Sequence, residues 1–514
     1  MVGEVNDRSV YVAESPSPTE RRILGAWLHG KGGGLVLMPH PRSPRSTDPE
    51  NDLAALLAGE DNPLLTPLRV VWLPKERDGE RSARLRDVVL GDPRHPGKHR
   101  QRWLRRAAPD RYCVVEGEPA HKDELHRRYT ASTGPDGAET FPQFVSRQAT
   151  VALERAEYRV IGAHYKVPRL VREDIVGSVR FRAGIQRLAA DLDQPETVVQ
   201  GEAMACLDEM VAGYSRFLLD LMVQIGRRVY KAGYDEKIDY DATQVTRVRA
   251  SAARHPIVVL PSHKSHLDGL VVPVALHENG LPRSHTFAGI NMAFGPLGAM
   301  WRRTGRVFIR RETKGSPVYR WVLREYISYL VEKRFSLEWY IEGTRSRSGK
   351  LSPPKLGLLA YVVDAYRDGR TEDVALLPVS VIYDQLHEVA DFSAEARGNT
   401  KRAESMGWML KFLRGQRSNF GKIYVRFGEP LSVREALGPG GGPAGTEPLA
   451  LQKLAFEVCW RVNQVTPVTA TAAVCHVLLA AGDTALTLDE VAFLAGTFLG
   501  YARGRGVPLA ASAG

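Results

Sequence analysis

Between Pro256 and Leu431, short runs of β-branched and aromatic residues alternate with longer stretches of helical periodicity. The strand candidates are PIVVLP (256–261), RVFIRR (306–311), LEWYIEG (337–343), VALLPVSVIY (374–383) and KIYVRFGEPL (422–431). Helical patterns such as LDGLVVPVALHENG and SPVYRWVLREYISYLVEKR lie between them. A chain that alternates in this way buries its apolar faces by forming a central sheet with helices packed on it. In such sheets the chemistry gathers on the loops at strand ends. The pattern therefore predicts an α/β fold and says where to look for a site.

The flanking regions differ in character. Residues 1 to about 60 are rich in Gly, Pro, Ser and charge, and HGKGGG and MPHPRSPRSTDPEND read as loops. From about Glu139 to Tyr234 the pattern turns helical, and CLDEMVAGYSRFLLDLMVQIGRRVY spaces its apolar residues three and four apart. GPGGGPAGTEP (438–448) is a linker by composition, and about 449–503 reads as helical. The expected division is an irregular small region at 1–120, a helical region at 121–235, an α/β domain at 236–435, and a linker with a C-terminal helical segment at 436–514.

Lys and Arg number 70 against 59 Asp and Glu, a formal net charge of +11. The surplus favours an anionic partner: a phosphorylated small molecule, CoA, an acidic membrane surface or nucleic acid. No nucleic-acid-binding module accompanies it, and the arginines are not interleaved with stacking aromatics. The four cysteines, Cys113, Cys206, Cys459 and Cys475, form no CxxC or Cys/His cluster. A reducing cytoplasm is the expected setting, with neither a disulfide framework nor a zinc site. The first residues show no signal-peptide pattern, and no run of about 20 apolar residues predicts a spanning helix.

The stretch LPSHKSHLDGL (260–270) follows the strand candidate PIVVLP. His263 and Asp268 stand five apart, where a strand ends and a helix begins. A carboxylate in the first helical turn can reach back and hold an imidazole in one tautomer, making it a general base near neutral pH. His266 is the rival, but on a regular helix it and Asp268 point to different faces. The same residues also read as helix-capping and surface groups, and the pattern alone does not separate the two.

Further strand ends carry charge. GRVFIRRE ends on Arg310 and Arg311, and YIEGTRSRSGK gathers Glu342, Gly343, Arg345, Ser346, Arg347 and Lys350 into one loop. Gly343 permits a tight turn, and arginine offers a planar donor fork suited to phosphate oxygens. A solvated basic loop is the alternative. The stretch is not a P-loop, because GxxxxGK[ST] is missing. No GxSxG elbow supports a serine hydrolase. Three readings stand on the residues alone: a general-base transferase acting on a phosphorylated alcohol, a hydrolase using the same histidine, and a non-catalytic binder of anionic lipid.

The order HKSHLD, GRVFIRR, YIEGTRSRSGK, LLPVSVIYD resembles the four motif blocks of the glycerolipid acyltransferases with the HxxxxD motif, and within them the glycerol-3-phosphate 1-O-acyltransferase branch. The similarity runs continuously from about Tyr234 to Ser432. It implies a central mixed β-sheet flanked by helices, with a helical N-terminal region and a helical C-terminal segment. It also implies transfer of an acyl group from acyl-CoA or acyl carrier protein to the sn-1 hydroxyl of glycerol 3-phosphate. By resemblance His263 is the base and Asp268 its partner. Arg310, Arg311 and Arg345 hold the phosphate, Glu342, Gly343 and Ser346 shape that site, and Pro378 lies toward the acyl donor. No metal or other cofactor is implied. The chain is short for this branch. Close rivals are dihydroxyacetone-phosphate and 1-acylglycerol-3-phosphate acyltransferases.

Substrate and product of such a reaction meet at a membrane, so peripheral attachment to an anionic surface on the cytoplasmic face is expected. SHTFAGINMAFGPLGAMWRR (284–303) and SMGWMLKFLRGQR (405–417) are the candidate contacts. In the first, Met292, Phe294, Leu297, Met300 and Trp301 are the side chains expected to enter the interface.

Overall fold

The computed structural model describes residues 9–38 apart from 15 and 32, 49–132 apart from 78, 140–161, 171–310 apart from 294, 315–389, 392–393, 397, 419–438 and 447–513. The chain forms two compact units, Met1–Asp193 and Gln194–Gly514. This division falls inside the stretch that the sequence pattern kept together as one helical region.

In the first unit the strands are β1 (Ser9–Glu14), β2 (Gly34–Met38), β3 (Leu64–Trp72), β4 (Tyr112–Glu116) and β5 (Ala120–His121). Their order is β2-β1-β3-β4, with β5 also on β3; β1 is parallel to β2 and β3, while β4 and β5 run antiparallel. The helices used below are α1 (Pro18–Leu28), α2 (Lys98–Ala107) and α3 (Phe141–Ile161). Strand alternation sorts the core into two layers. Val10, Val12, Leu65 and Val71 pack with Phe144, Ala149 and Leu153 of α3. Tyr11, Ala13, Leu68, Val70 and Trp72 pack with Ile23 and Leu24 of α1 and Leu104 of α2. A sheet thus stands where Gly, Pro and charge had suggested irregular chain, because all its strands but β3 are short and are separated by those same turn residues.

The second unit begins with α4 (Glu196–Met210) and α5 (Arg216–Lys231). The sequence pattern read this stretch as one helix. It breaks at Val211–Ser215, where the Ser215 hydroxyl caps α5 by accepting from Leu218 N–H (3.3 Å). The freed backbone is satisfied elsewhere: Ala212 N–H donates to the Tyr326 hydroxyl (3.2 Å) and Ser215 N–H to the Arg303 carbonyl (2.7 Å).

Among the described residues the second sheet has eight strands: β6 (Asp239–Tyr240), β7 (Ile257–Pro261), β8 (Ser284–Gly289), β9 (Arg306–Ile309), β10 (Ser336–Glu338), β11 (Ala375–Tyr383), β12 (Ile423–Phe427) and β13 (Leu431–Ser432). The order is β6-β12-β11-β7-β10-β8-β9, with β13 on β11. Strands β11, β7, β10, β8 and β9 are mutually parallel, and β12 and β13 join β11 antiparallel. This is a mixed sheet, as the resemblance implied. β7 lies inside it with every residue buried, which is why its sequence is a continuous apolar run.

Helices α6 (Ala242–Arg254), α7 (Asp268–Glu278), α8 (Gly295–Arg302), α9 (Pro317–Glu332) and α10 (Gly357–Arg367) connect these strands, and α11 (Glu447–Gln464), α12 (Ala470–Ala481) and α13 (Leu488–Gly504) follow them. α9 starts where Ser316 caps it and Pro317 takes the first helical position.

Two strand expectations and one interfacial expectation needed correction. LEWYIEG ends as a strand at Glu338; the chain then turns, and Gly343 has φ 71°. KIYVRFGEPL is divided into β12 and β13 by Gly428–Pro430. Ser284–Gly289, read as part of an interfacial segment, is an internal strand with His285 and Phe287 buried. Trp301 from the same segment is 9% exposed, with the Arg306 guanidinium 5.0 Å from its ring, so it does not face a lipid surface. The second interfacial candidate, 405–417, and Phe294 lie outside the described residues. No helix among the described residues is long and apolar enough to cross a membrane.

Candidate active site

Parallel strands end on the same edge of a sheet, so the segments after β7, β9, β10 and β11 are brought to one side by topology alone. His263 follows β7 by two residues, and Asp268 opens α7. His263 Nδ1 lies 2.9 Å from Asp268 Oδ2. Asp268 is fully buried and His263 is 19% exposed at its side chain. A hydrogen bond to a carboxylate assigns the proton to Nδ1 and leaves the Nε2 lone pair to accept one. Of the two histidines, His263 is therefore the one paired with Asp268.

The carboxylate is held on every side. Besides His263, Oδ2 accepts from Lys264 N–H (2.7 Å) and Ser265 N–H (2.9 Å), and Oδ1 accepts from the Tyr383 hydroxyl (2.6 Å). Burial, and then the Asp268 charge, push the Tyr383 phenol well above its ordinary value, so it remains a donor.

Two further carboxylates grip the same loop. Glu342, 1% exposed, accepts from His263 N–H (2.9 Å) and Ser352 N–H (2.8 Å). Glu388, 2% exposed, accepts from the Ser265 hydroxyl (2.9 and 3.0 Å) and His266 N–H (2.8 Å). Burial raises the Glu388 carboxyl above its usual range, and the hydrogen bonds from His266 and Ser265 offset only part of that rise. Leu267 N–H donates to Ser265 Oγ (3.1 Å). The amide N–H groups of residues 263–267 are thus all engaged. A backbone oxyanion hole at the first block, a natural expectation for this chemistry, has no unengaged amide N–H there.

The loop after β10 is locked to the loop after β7. Ser346 N–H donates to the His263 carbonyl (2.8 Å), the Ser346 hydroxyl to the Lys350 carbonyl (2.6 Å), and the Lys264 ammonium to the Gly349 carbonyl. The Tyr340 ring stacks on the imidazole with centroids 3.9 Å apart and planes at 16°. Burial lowers the Lys264 ammonium from its ordinary value.

The residues expected to contact substrate fall into different situations. Glu342 and Ser346 sit beside His263, but their polar atoms hold backbone. Gly343 supplies the left-handed turn, and its N–H donates to the Tyr340 carbonyl (2.9 Å). Arg345 lies with its guanidinium 5.5 Å from the Phe392 ring, and its charge counters a small part of the effect of burial on Glu388. Arg310 directly follows β9, where Glu209 of α4 takes its fork in two bonds of 3.0 and 2.6 Å, and its guanidinium lies 4.7 Å over the Tyr319 ring. Arg311 lies outside the described residues. Pro378 pairs with Leu260 inside the sheet, its carbonyl accepting from Gly428 N–H (2.8 Å). Tyr383, Glu388 and Tyr340 had no role in the sequence reading; the first ends the run LLPVSVIY and the last sits in LEWYIEG, which are their only local signals.

Comparison with known proteins bears on what this geometry serves. Residues 242–382 match the family model described as acyltransferase, and residues 392–514 match the one described as glycerol-3-phosphate acyltransferase C-terminal region. The chain thus carries an acyltransferase domain, and in two regions it is similar to the glycerol-3-phosphate acyltransferase family. Proteins provisionally named acyltransferase plsB1 in Mycobacterium bovis and Mycobacterium tuberculosis are 39% identical over 307 residues, 60% of this chain and 49% of theirs. The chain thus spans about half the length of the relatives it matches. The solved 1-acyl-sn-glycerophosphate acyltransferase PlsC of Thermotoga maritima aligns with 48% of this chain and 78% of its own at 19% identity and a TM-score of 0.30, a likeness that carries no argument.

Proposed function

We propose that this acyltransferase moves an acyl group from a thioester, acyl-CoA or acyl carrier protein, to the sn-1 hydroxyl of glycerol 3-phosphate, giving 1-acylglycerol 3-phosphate. The single observation that supports it most is the His263–Asp268 pair, oriented by a fully bonded carboxylate at the sheet edge. An alcohol is a weak nucleophile near neutral pH. His263 Nε2 removes the hydroxyl proton as the oxygen attacks the thioester carbonyl. The tetrahedral intermediate collapses with loss of thiolate, which takes the proton back from the imidazolium. Asp268 stabilises the imidazolium between these steps. Such a base contributes about 10²–10⁴-fold in rate. No covalent intermediate on the protein is needed, because the thioester is already activated.

Arg345 takes the acceptor phosphate, and Arg310 joins it when Glu209 yields; the closeness of Arg345 to Glu388, which holds the His263 loop, supports this. The reaction takes place at an anionic membrane surface, which the protein meets peripherally.

The reading is tested by supplying palmitoyl-CoA with glycerol 3-phosphate, dihydroxyacetone phosphate or 1-acylglycerol 3-phosphate in separate reactions and identifying products by mass. Monoacylated glycerol 3-phosphate as the preferred product supports it. Preference for either other acceptor moves the assignment to that acceptor, and thiol release without any acceptor replaces it with hydrolysis.

A further inference from the structure

The first unit holds a cavity of about 380 Å³ that the acyl-transfer chemistry does not use. Among the described residues five cations face it, Lys75 and Arg77 after β3, Arg86, Arg100 of α2, and Arg111 before β4, against one carboxylate, Asp87. Two of the arginines are fixed by backbone. Arg100 donates to the Leu90 and Gly91 carbonyls (3.0 and 3.2 Å), and Arg111 Nε donates to the Leu73 carbonyl (3.1 Å). Asp87 is 3.8 Å from Arg100 and already accepts from Arg84 N–H (2.8 Å). Lys75, Arg77 and Arg86 have no side-chain partner among the described residues. The Arg111 guanidinium is lowered from its ordinary value, first by burial and then by the neighbouring Arg100 charge.

Like charges gathered in a concave site repel one another, and an anion there relieves the repulsion while gaining donor forks matched to phosphate oxygens. The rim is apolar. Leu90 is 62% exposed and Trp103 60% exposed, and both line the cavity; Val89, beside Leu90, is 89% exposed. Exposed apolar side chains beside clustered cations suit a ligand with two ends. The volume suits a small organic molecule.

We propose that this pocket binds a phosphate ester with an apolar portion, the phosphate on the guanidinium groups and the apolar part against Leu90 and Trp103. The ester comes either as a lipid headgroup or as a free amphiphile. The site lies wholly within the first unit, and its existence does not depend on the acyl-transfer assignment.

Titration calorimetry of the full chain with octyl phosphate and with inorganic phosphate, next to flotation with phosphatidylcholine vesicles with and without phosphatidic acid, tests it. Octyl phosphate should bind more tightly than inorganic phosphate. Arg77→Gln with Arg86→Gln removes two unpartnered cations and should weaken binding about thirtyfold. Trp103→Ala is an independent variant that should weaken octyl phosphate and leave inorganic phosphate unchanged. Variant-sensitive flotation on phosphatidic acid assigns the lipid source; variant-sensitive octyl phosphate binding without flotation assigns the free ester. Absence of saturable binding in both arms, or binding that both variants leave intact, overturns the proposal.

Discussion

The loop after β7 and the pocket after β3 both concentrate polar groups at a strand end, yet they are wired in opposite ways. Around His263 each backbone donor from 263 to 267 has an acceptor, and three buried carboxylates divide the work. Around Arg111, among the described residues, five cations face one carboxylate, and three of the five have no partner there. A closed network fixes geometry, which is what proton transfer needs. An open set of like charges stores repulsion, which a ligand of opposite sign removes. Substitutions in the two places should therefore differ in kind.

The largest effect is expected at Asp268. Asp268→Asn presents an amide where two backbone N–H groups, an imidazole and a phenol all require acceptance. Turnover should fall about 10⁴-fold through loss of the correct tautomer, and stability should fall by about 3 kcal/mol. Steady-state kinetics and urea denaturation measure the two. A variant that keeps its stability would break the claim of a closed network.

Tyr383→Phe removes one donor from the same carboxylate. It should lower kcat about tenfold, with KM little changed and a stability loss of about 1 kcal/mol. A change in KM alone would instead place Tyr383 on substrate.

Glu388→Gln is expected to act through pH. The folded carboxyl is raised above its unfolded value, so the folded state binds the proton more tightly. Wild-type stability then falls as pH rises from the unfolded value through the folded one, and the glutamine variant lacks this slope. The stability advantage of wild type over the variant should be larger at about pH 5 than at about pH 8. Denaturation curves with parallel pH dependence would contradict the assignment.

The smallest effect is expected in the first unit. Arg77→Gln with Arg86→Gln should leave the unfolding temperature unchanged or slightly raised in the absence of ligand, because it removes repulsion rather than partners. A clear loss of stability would erase the contrast between the two regions.

The division between what the residues showed and what they hid follows sequence distance. PIVVL is apolar on both faces, which marks a central parallel strand, and the five-residue step from His263 to Asp268 is local enough to read. Tyr383 and Glu388 reach the same loop only because β11 pairs with β7, a non-local fact that no periodicity carries. Glu342 and Ser346 were visible as residues, but their task differs from the expected one: a carboxylate and a hydroxyl that hold backbone look the same in sequence as a pair that holds substrate. Arg310 was legible as a cation, whereas Glu209, which takes its fork, lies 101 positions earlier on α4. The first unit's sheet escaped notice because strands such as SVYVAE and GLVLM are brief and set among Gly and Pro. The interfacial reading of 284–303 failed at SHTFAG, which pairs with β10 and β9 inside the sheet, another non-local fact.

The most direct test of the central claim is thiol release from palmitoyl-CoA, with and without glycerol 3-phosphate, by wild type and by His263→Ala. The imidazole is partly exposed and its loop is held by backbone contacts, so the variant should fold as wild type does. Release that depends on the acceptor in wild type, and that falls by about 10²–10⁴-fold in the folded variant, is the result this account predicts. Acceptor-dependent release of equal rate in the variant would contradict it.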